Sequence, residues 1–128
     1  MTSSVLIVED EESISLSLEF LLRKEGYEVS CARDGAAALQ MLAQRIPDMV
    51  LLDVMLPLVD GFELCRMMRA NPALEKTRIM LLTARGRESE VARGLSLGAD
   101  AYLTKPFSTR ELMDTVRRLI FGNTRPAS

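Results

Sequence analysis

The stretch that decides the fold is D-M-V-L-L-D-V-M-L-P-L-V-D-G, residues 48–61. Its apolar residues 49–52 are continuous rather than alternating, which predicts a strand buried on both faces of a parallel sheet. Asp53 ends this run, and a bare carboxylate buried inside a sheet would be costly. Because Pro57 and the Asp-Gly pair at 60–61 indicate a turn soon afterwards, we expect Asp53 at the sheet edge, in a crevice beneath a loop.

Short apolar runs and helical patterns alternate through the rest of the chain. In chain order the predicted elements are strand 5–8, a helix over 14–22, strand 27–32, helix 36–44, strand 49–52, helix 62–70, strand 78–83, helix 87–97, strand 99–104 and a final helix after Ser108. Five strands alternating with five helices predict an α/β fold, one parallel sheet covered on both faces. If strands one and three flank the point where the strand order reverses, the fold is a doubly wound, flavodoxin-like (βα)5 sheet of order 2-1-3-4-5.

Local residues indicate where the helices begin and end. Gly26 and Gly98 each follow a helical pattern, where a residue in the left-handed conformation is common. Asp34 is placed to cap the second helix, and Ser108 with Glu111 has the spacing of a capping box. These signals are independent of the apolar periodicity and agree with it.

Composition limits the function classes. With 128 residues, 48% of them hydrophobic, we expect one domain over residues 1–121 and a frayed tail or the start of a linker over 122–128. No apolar run is long enough to span a membrane and no signal peptide is visible, so a soluble, cytoplasmic protein is expected. The net charge of −2 favours neither nucleic acid nor an anionic membrane as a partner.

The histidine and cysteine content narrows the possible metal sites and catalytic chemistry further. The chain has no histidine, which excludes histidine-ligated metals and histidine acid–base catalysis. Cys31 and Cys65 lack metal-ligand spacing and are interpreted as buried thiols rather than a disulfide.

Polar side chains follow four of the predicted strands. They are Glu9 and Asp10 after strand one, Asp53 after strand three, Thr83 at the end of strand four and Lys105 after strand five. Because the carboxyl ends of parallel strands share one edge of a sheet, these groups are expected to converge. Carboxylates held close together repel one another unless a cation neutralises them, and Mg²⁺ is the hard, oxygen-seeking ion that suits such a site.

The chemistry of this set points to phosphoryl groups. Mg²⁺ usually completes its shell with water and phosphate oxygens. Asp53 can then act as a nucleophile that forms an aspartyl phosphate, while Lys105 and Thr83 contact the phosphoryl oxygens. Each residue alone has an ordinary structural interpretation, Asp53 as a turn residue and Tyr102 as core filler with its hydroxyl at the surface. Their convergence favours the functional interpretation.

Four segments closely resemble the receiver domain of bacterial two-component response regulators. They read V-L-I-V-E-D-E-E from Val5, M-V-L-L-D-V-M-L-P-L-V-D-G from Met49, L-L-T-A from Leu81 and G-A-D-A-Y-L-T-K-P-F from Gly98. The resemblance runs from about Val5 to Ile120, and the four motifs together are specific although each alone is weak.

The resemblance implies a metal site and a phosphoacceptor. Glu9 and Asp10 would organise Mg²⁺, with Asp10 the direct ligand. Asp53 would accept the phosphoryl group, and the backbone carbonyl of Met55 would complete the metal site. The domain would be a switch that catalyses only its own phosphorylation and dephosphorylation, not an enzyme with a separate substrate.

It also implies a switch and a lysine contact. Thr83 and Tyr102 would be the switch pair, Lys105 would contact the phosphate, and the peptide bond between Lys105 and Pro106 would be cis. Met55 and Arg85 occupy positions that tune phosphoryl lifetime in this family. Since apolar Met55 cannot orient an attacking water, we predict a long-lived phosphorylated state.

The implied partners are a sensor histidine kinase or histidine phosphotransfer protein as donor, and an output domain or downstream protein. The latter would be contacted through helix four, strand five and helix five. A phosphorylation-dependent homodimer stays open, although Ala101 and Thr115 replace a second Asp and a basic residue that often form salt bridges in receivers of winged-helix transcription factors. The resemblance implies neither direct nucleic-acid binding nor membrane contact by this domain.

Three other interpretations stay open at this point. A Mg²⁺-dependent phosphohydrolase with Asp53 as nucleophile would often carry a second acid two residues on, where this chain has Met55. A flavodoxin-like nucleotide-binding protein would need a glycine-rich phosphate loop, and none follows strand one. A phosphate-independent interaction domain would not need the complete set of acids, threonine and lysine.

Overall fold

Three strands apolar along most of their length form the centre of one parallel sheet. The structure, a computed structural model, describes residues 2–57, 59–84 and 88–121. In this part of the chain, β1 (Ser4–Val8), β3 (Met49–Asp53) and β4 (Arg78–Ala84) lie between the edge strands β2 (Glu28–Ala32) and β5 (Ala101–Lys105). The order β2-β1-β3-β4-β5 confirms the predicted flavodoxin-like, doubly wound arrangement.

Five helices connect the strands as predicted. They are α1 (Glu12–Lys24), α2 (Gly35–Gln44), α3 (Gly61–Arg69), α4 (Glu88–Ser96) and α5 (Thr109–Phe121). A 3₁₀ turn, Pro72–Leu74, follows α3 and was not predicted; its Asn71 side chain accepts a hydrogen bond from Ala73 N at 3.0 Å. None of the helices in the described ranges has the length and apolar composition needed to cross a bilayer.

Alternate residues of the central strands enter two separate cores. Val5 and Ile7 of β1 pack on the side of α1 and α5, with Leu18 and Leu112, while Leu6 and Val8 pack on the side of α2 and α3. Because both faces of the sheet are covered, a central strand shows no polar alternation. This explains why residues 49–53 are all buried and why the sequence pattern there was continuous.

The predicted helix ends are confirmed. Asp34 Oδ1 accepts a hydrogen bond from Ala37 N at 2.8 Å. Ser108 and Glu111 form the reciprocal capping box, Ser108 N donating to Glu111 Oε1 at 3.1 Å and Glu111 N donating to Ser108 Oγ at 3.0 Å. Gly26 and Gly98 adopt φ values of 96° and 107°, the left-handed region expected at these positions.

Two predicted features differ from the structure, and two others lie outside the residues it describes. Strand β5 begins at Ala101 rather than 99, since residues 99–100 continue the loop from α4. Both cysteines are free, but only Cys65 is buried; Cys31 is half-buried on edge strand β2. The tail predicted over 122–128 and the position of Arg85 lie outside the described residues.

Candidate functional site

The carboxyl ends of β1, β3, β4 and β5 form one rim of the sheet, and the predicted site residues lie along it. In the parallel register Val8 pairs with Leu52, so Glu9 and Asp53 emerge side by side from neighbouring strands. Ala84 pairs with Lys105 at the far end of the rim. We call Glu9, Asp10, Asp53, Thr83 and Lys105 the rim site.

Three carboxylates meet at the centre of the rim site. Glu9 and Asp53 are 1% and 3% exposed, whereas Asp10 is exposed to solvent. One oxygen from each carboxylate lies within 4.8 Å of the other two. Two buried acids and one exposed acid therefore form a cluster of carboxylate oxygens that reaches the surface at Asp10.

Backbone amides fix the orientation of the two buried acids. Glu11 N donates to Glu9 Oε2 at 3.1 Å, and Met55 N donates to Asp53 Oδ1 at 2.9 Å. In each case the amide lies two residues after the acid, because the chain turns immediately after the strand ends. One oxygen of each carboxylate is held by the backbone, and the other faces the rim site.

Lys105 bridges the two buried acids from strand β5. Its Nζ lies 3.2 Å from Glu9 Oε1 and 3.2 Å from Asp53 Oδ2. Burial alone would lower the pKa of Lys105, but the neighbouring Asp53 and Glu9 carboxylates outweigh it and raise that pKa. The ammonium is thus held in its charged form where the two carboxylates converge. The peptide bond between Lys105 and Pro106 is cis.

One ammonium does not neutralise the cluster. Burial, with the charge of Asp53 adding to it, raises the pKa of Glu9 from 4.5 to about 7. A second cation would remove this cost. The donors are hard carboxylate oxygens, and one of the three acids, Asp10, is exposed to solvent; this fits a divalent ion such as Mg²⁺ that keeps part of its water shell. Glu9, Asp10 and Asp53 are the residues that could hold it.

Thr83 lies buried at the carboxyl end of β4, beside the acids. The residue is 1% exposed, and its Oγ1 contacts no donor or acceptor among the described residues. Leaving a buried hydroxyl unpaired costs free energy in this state, so its presence here calls for an explanation. Tyr102, predicted as its switch partner, is 45% exposed on edge strand β5. The side chain of Tyr102 therefore points to solvent in this state rather than filling the core.

The loop after β3 is packed closely onto the backbone of Asp53. A Cβ at Gly61 would lie 2.5 Å from both Asp53 O and Val54 Cα, and Gly61 N donates to Val54 O at 3.1 Å. Asp60 caps α3 by accepting from Glu63 N at 2.9 Å. The sequence indicated only a turn here; the close approach that requires glycine depends on tertiary packing. Met55, in this loop, is 55% exposed beside the acids.

Comparison with known proteins places these features in a family. The model of the response regulator receiver domain matches residues 5–117. The phosphate regulon transcriptional regulatory protein PhoB of Rhizobium meliloti (strain 1021) is 48% identical over 120 residues, which are 94% of this chain and 53% of PhoB. The chain thus spans about half the length of that relative.

Solved structures show the same architecture. A Chloroflexus aurantiacus J-10-fl protein described as a response regulator is 38% identical, with a TM-score of 0.91 over 94% of this chain and 99% of that one. The receiver domain of the sensor histidine kinase PA1611 from Pseudomonas aeruginosa PAO1 is 31% identical, with a TM-score of 0.86 over 94% and 99% of the two chains. That structure has a magnesium ion coordinated in its active site cleft.

Proposed function

Since the chain belongs to the response regulator receiver domain family, we propose that it is a signalling switch in which Asp53 accepts a phosphoryl group from a phosphohistidine on a partner protein. The observation that carries the proposal is the rim site itself. A buried carboxylate has one oxygen held by a backbone amide and the other 3.2 Å from a lysine ammonium, beside two further acids.

The transfer requires few groups from the protein. Asp53 Oδ2, the oxygen not held by the backbone, attacks phosphorus. The P–N bond of the phosphohistidine breaks, and its electron pair leaves with the imidazole, which takes a proton from water. A carboxylate nucleophile needs no general base. Lys105 is placed to donate to a phosphoryl oxygen, since its Nζ already contacts Asp53. Glu9, Asp10, Asp53 and the backbone carbonyl of Met55 would hold Mg²⁺, whose positive charge would stabilise the phosphoryl oxygens.

The switch that follows involves Thr83 and Tyr102. The Thr83 hydroxyl has no acceptor within the described part of the chain, and phosphoryl oxygens on Asp53 would provide one. Its movement would open space into which the exposed Tyr102 ring turns. The surface of α4, β5 and α5 would change as a result, and an output domain or downstream protein would read that change.

The partners follow from the same chemistry. These 128 residues contain no histidine, so the phosphohistidine lies outside them, on a sensor histidine kinase or a histidine phosphotransfer protein. The PhoB relative is named a transcriptional regulatory protein, and an output domain of that kind is consistent with a chain that spans half of it. This domain would act in the cytoplasm without contacting DNA or membrane, and a phosphorylation-dependent homodimer remains compatible with it.

Met55 is proposed to lengthen the life of the phosphorylated state. The exposed thioether beside Asp53 has no group that could orient water for attack on phosphorus. Met55→Asn should therefore shorten the phosphoryl half-life by about tenfold, the effect of roughly 1.4 kcal/mol in the barrier. A wild-type half-life of seconds, unchanged in this variant, would contradict the proposal. The companion role of Arg85 stays a prediction.

Intact mass after incubation with acetyl phosphate tests the proposed function. We expect a single phosphoryl adduct that requires Mg²⁺ and is absent from Asp53→Asn. Asp60→Asn is the matched control, since Asp60 lies in the same loop and, within the described ranges, its side chain bonds only to Glu63 N as the cap of α3. Its adduct should equal that of the wild type. No adduct under any condition would favour a phosphate-independent interaction domain, and an adduct that turns over freely would favour a phosphohydrolase.

A further inference from the structure

Arg69, the last residue of α3, binds acceptors from several elements at the end of the sheet opposite the rim site. Its side chain is 21% exposed. Nε donates to Gly98 O at 2.8 Å, Nη1 to Leu74 O at 2.9 Å, and Nη2 to Thr77 O at 2.6 Å and to Asp100 Oδ2 at 2.8 Å. We call Arg69, these three carbonyls and Asp100 the Arg69 node.

Asp100 attaches the node to the sheet. Its backbone N donates to Ile79 O at 2.8 Å, and its Oδ2 accepts from Ile79 N at 2.8 Å. The side chain thus adds one rung to the ladder between β4 and β5, just before β5 begins. Arg78 lies 3.5 Å from the other carboxylate oxygen. Two arginines and one amide therefore hold a single half-buried acid.

The end of α4 is closed by its own backbone and packs against the same node. The amides that follow the helix all donate to backbone oxygens: Leu97 N to Arg93 O, Gly98 N to Leu95 O and Ala99 N to Gly94 O. A Cβ at Gly98 would lie 2.5 Å from Arg69 Cγ, and the φ of 107° also disfavours other residues. The stem of Arg69 occupies the space that a side chain at Gly98 would need.

The contacts that residues 93–95 of α4 make are of a different kind. Of the α4 residues whose side chains the structure describes, only Gly94 is buried, and a Cβ there would collide with Leu81. Arg93 lies over the Phe62 ring, 4.4 Å from its centroid. Leu95 is 43% exposed. Apolar and cation–π contacts of this kind allow displacement, whereas the directional hydrogen bonds of the node do not.

From this asymmetry we infer that the Arg69 node is a fixed pivot for α4. A signal that begins at the rim site moves the body of the helix, while residues 97–101 stay attached to the sheet through Arg69 and Asp100. The inference rests on the proposed function, since phosphorylation supplies the signal. Arg69 is then a positioning residue that confines the change to the end of α4 and β5 nearest the phosphoryl group.

Hydrogen exchange followed by mass spectrometry tests the pivot, on the 128-residue chain with and without acetyl phosphate and Mg²⁺. In the wild type, phosphorylation should change exchange in residues 89–95 and leave residues 97–101 unchanged. In Arg69→Met, residues 97–101 should exchange about tenfold faster before phosphorylation, and the phosphorylation-dependent change should extend into them. The adduct itself should still form, since Arg69 lies far from Asp53 along the sheet.

Two variants separate a pivot from a general loss of stability. Arg66→Met is the matched control, because Arg66 lies on the same helix but pairs only with Glu63 among the described residues; it should behave as the wild type. Arg69→Lys keeps the positive charge but loses the forked set of guanidinium donors, so residues 97–101 should exchange at an intermediate rate. This variant still tests the pivot if Arg69→Met does not fold.

The outcomes that overturn the inference are distinct from failure of the proposed function. If the adduct forms and residues 97–101 of the wild type change as much as 89–95, the pivot is wrong and the phosphoryl switch stands. If Arg69→Met exchanges like Arg66→Met, the node does not hold this segment. If no adduct forms, intact mass from the same samples shows that the proposed function has failed, and the signalling role of the pivot fails with it.

Discussion

Two buried threonines show how differently the two ends of the sheet are built. Thr77, just before β4, is 2% exposed, and its Oγ1 donates to Pro47 O at 2.9 Å. Thr83, near the carboxyl end of the same strand, is 1% exposed, and its Oγ1 has no partner among the described residues. A buried threonine hydroxyl is therefore hydrogen-bonded at one end of the sheet and, among the described residues, left without a partner at the other.

The acids repeat this contrast. Asp100 lies at the amino ends of the parallel strands, opposite the rim site; we call this the amino end of the sheet. It is held by Arg69, Arg78 and the amide of Ile79. At the carboxyl end, Asp53 shares one lysine with Glu9, whose pKa is raised to about 7 by its burial. Since unpaired buried polar groups reduce stability, the amino end contributes more to the stability of the fold. The carboxyl end carries the less satisfied groups, which the proposed function would pair with a charged ligand.

The largest expected effect is at the amino end. Asp100→Ala removes the acceptor of two arginines and of Ile79 N, so the free energy of unfolding should fall by about 3 kcal/mol. Urea denaturation at neutral pH measures it. Asp114→Ala is the control, because Asp114 is 61% exposed and pairs with Arg117 three residues away on the same helix. That variant should change stability by less than about 0.5 kcal/mol. Equal losses in the two variants would contradict the contrast.

The pH dependence of stability tests the carboxyl end. The pKa of Glu9 is raised from 4.5 to about 7, mainly by burial, so folding favours its protonated form. The stability that this contributes is complete below pH 4.5 and is lost as the pH rises through 7. Without metal, the free energy of unfolding should fall by about 2 kcal/mol between roughly pH 5 and 8. Glu9→Gln should remove this slope, and an unchanged slope would contradict the assignment.

The smallest expected effect is the difference in stability between Thr→Val variants at the two buried threonines. Valine has nearly the shape of threonine but no hydroxyl. Thr77→Val should cost about 1 kcal/mol through loss of its bond to Pro47 O, while Thr83→Val should be neutral or stabilising. Urea midpoints of the two variants, measured side by side, give the comparison. A greater loss for Thr83→Val would mean that its hydroxyl is already paired in the resting protein.

The sequence predicted the fold and the rim site because both depend on regular patterns. The continuous run 49–52 required a strand covered on both faces, and strand ends that carry acids, threonine and lysine had to meet at one edge. The helix caps at Asp34 and Ser108 were equally local. Each of these inferences needs only the spacing of residues along the chain.

The Arg69 node was not predicted, for a physical reason. Arg69 is one of several basic residues on short helices, and three of its four acceptors are backbone carbonyls that every residue possesses. Asp100 reads as an ordinary loop acid before a strand. Only the tertiary arrangement shows that the end of α3, the 3₁₀ turn and the start of β5 share one guanidinium. The outward position of Tyr102 likewise depends on packing around β5.

The measurement that tests the central claim most directly is urea unfolding of the wild type and Asp53→Asn, each with and without Mg²⁺. If the carboxyl end is kept unsatisfied to bind a cation and a phosphoryl group, Asp53→Asn should be the more stable protein without metal. Mg²⁺ should then stabilise the wild type, by about 1.4 kcal/mol at ten times its Kd, and the variant far less. A variant that is less stable than the wild type without metal, or that gains as much from Mg²⁺, would contradict the account.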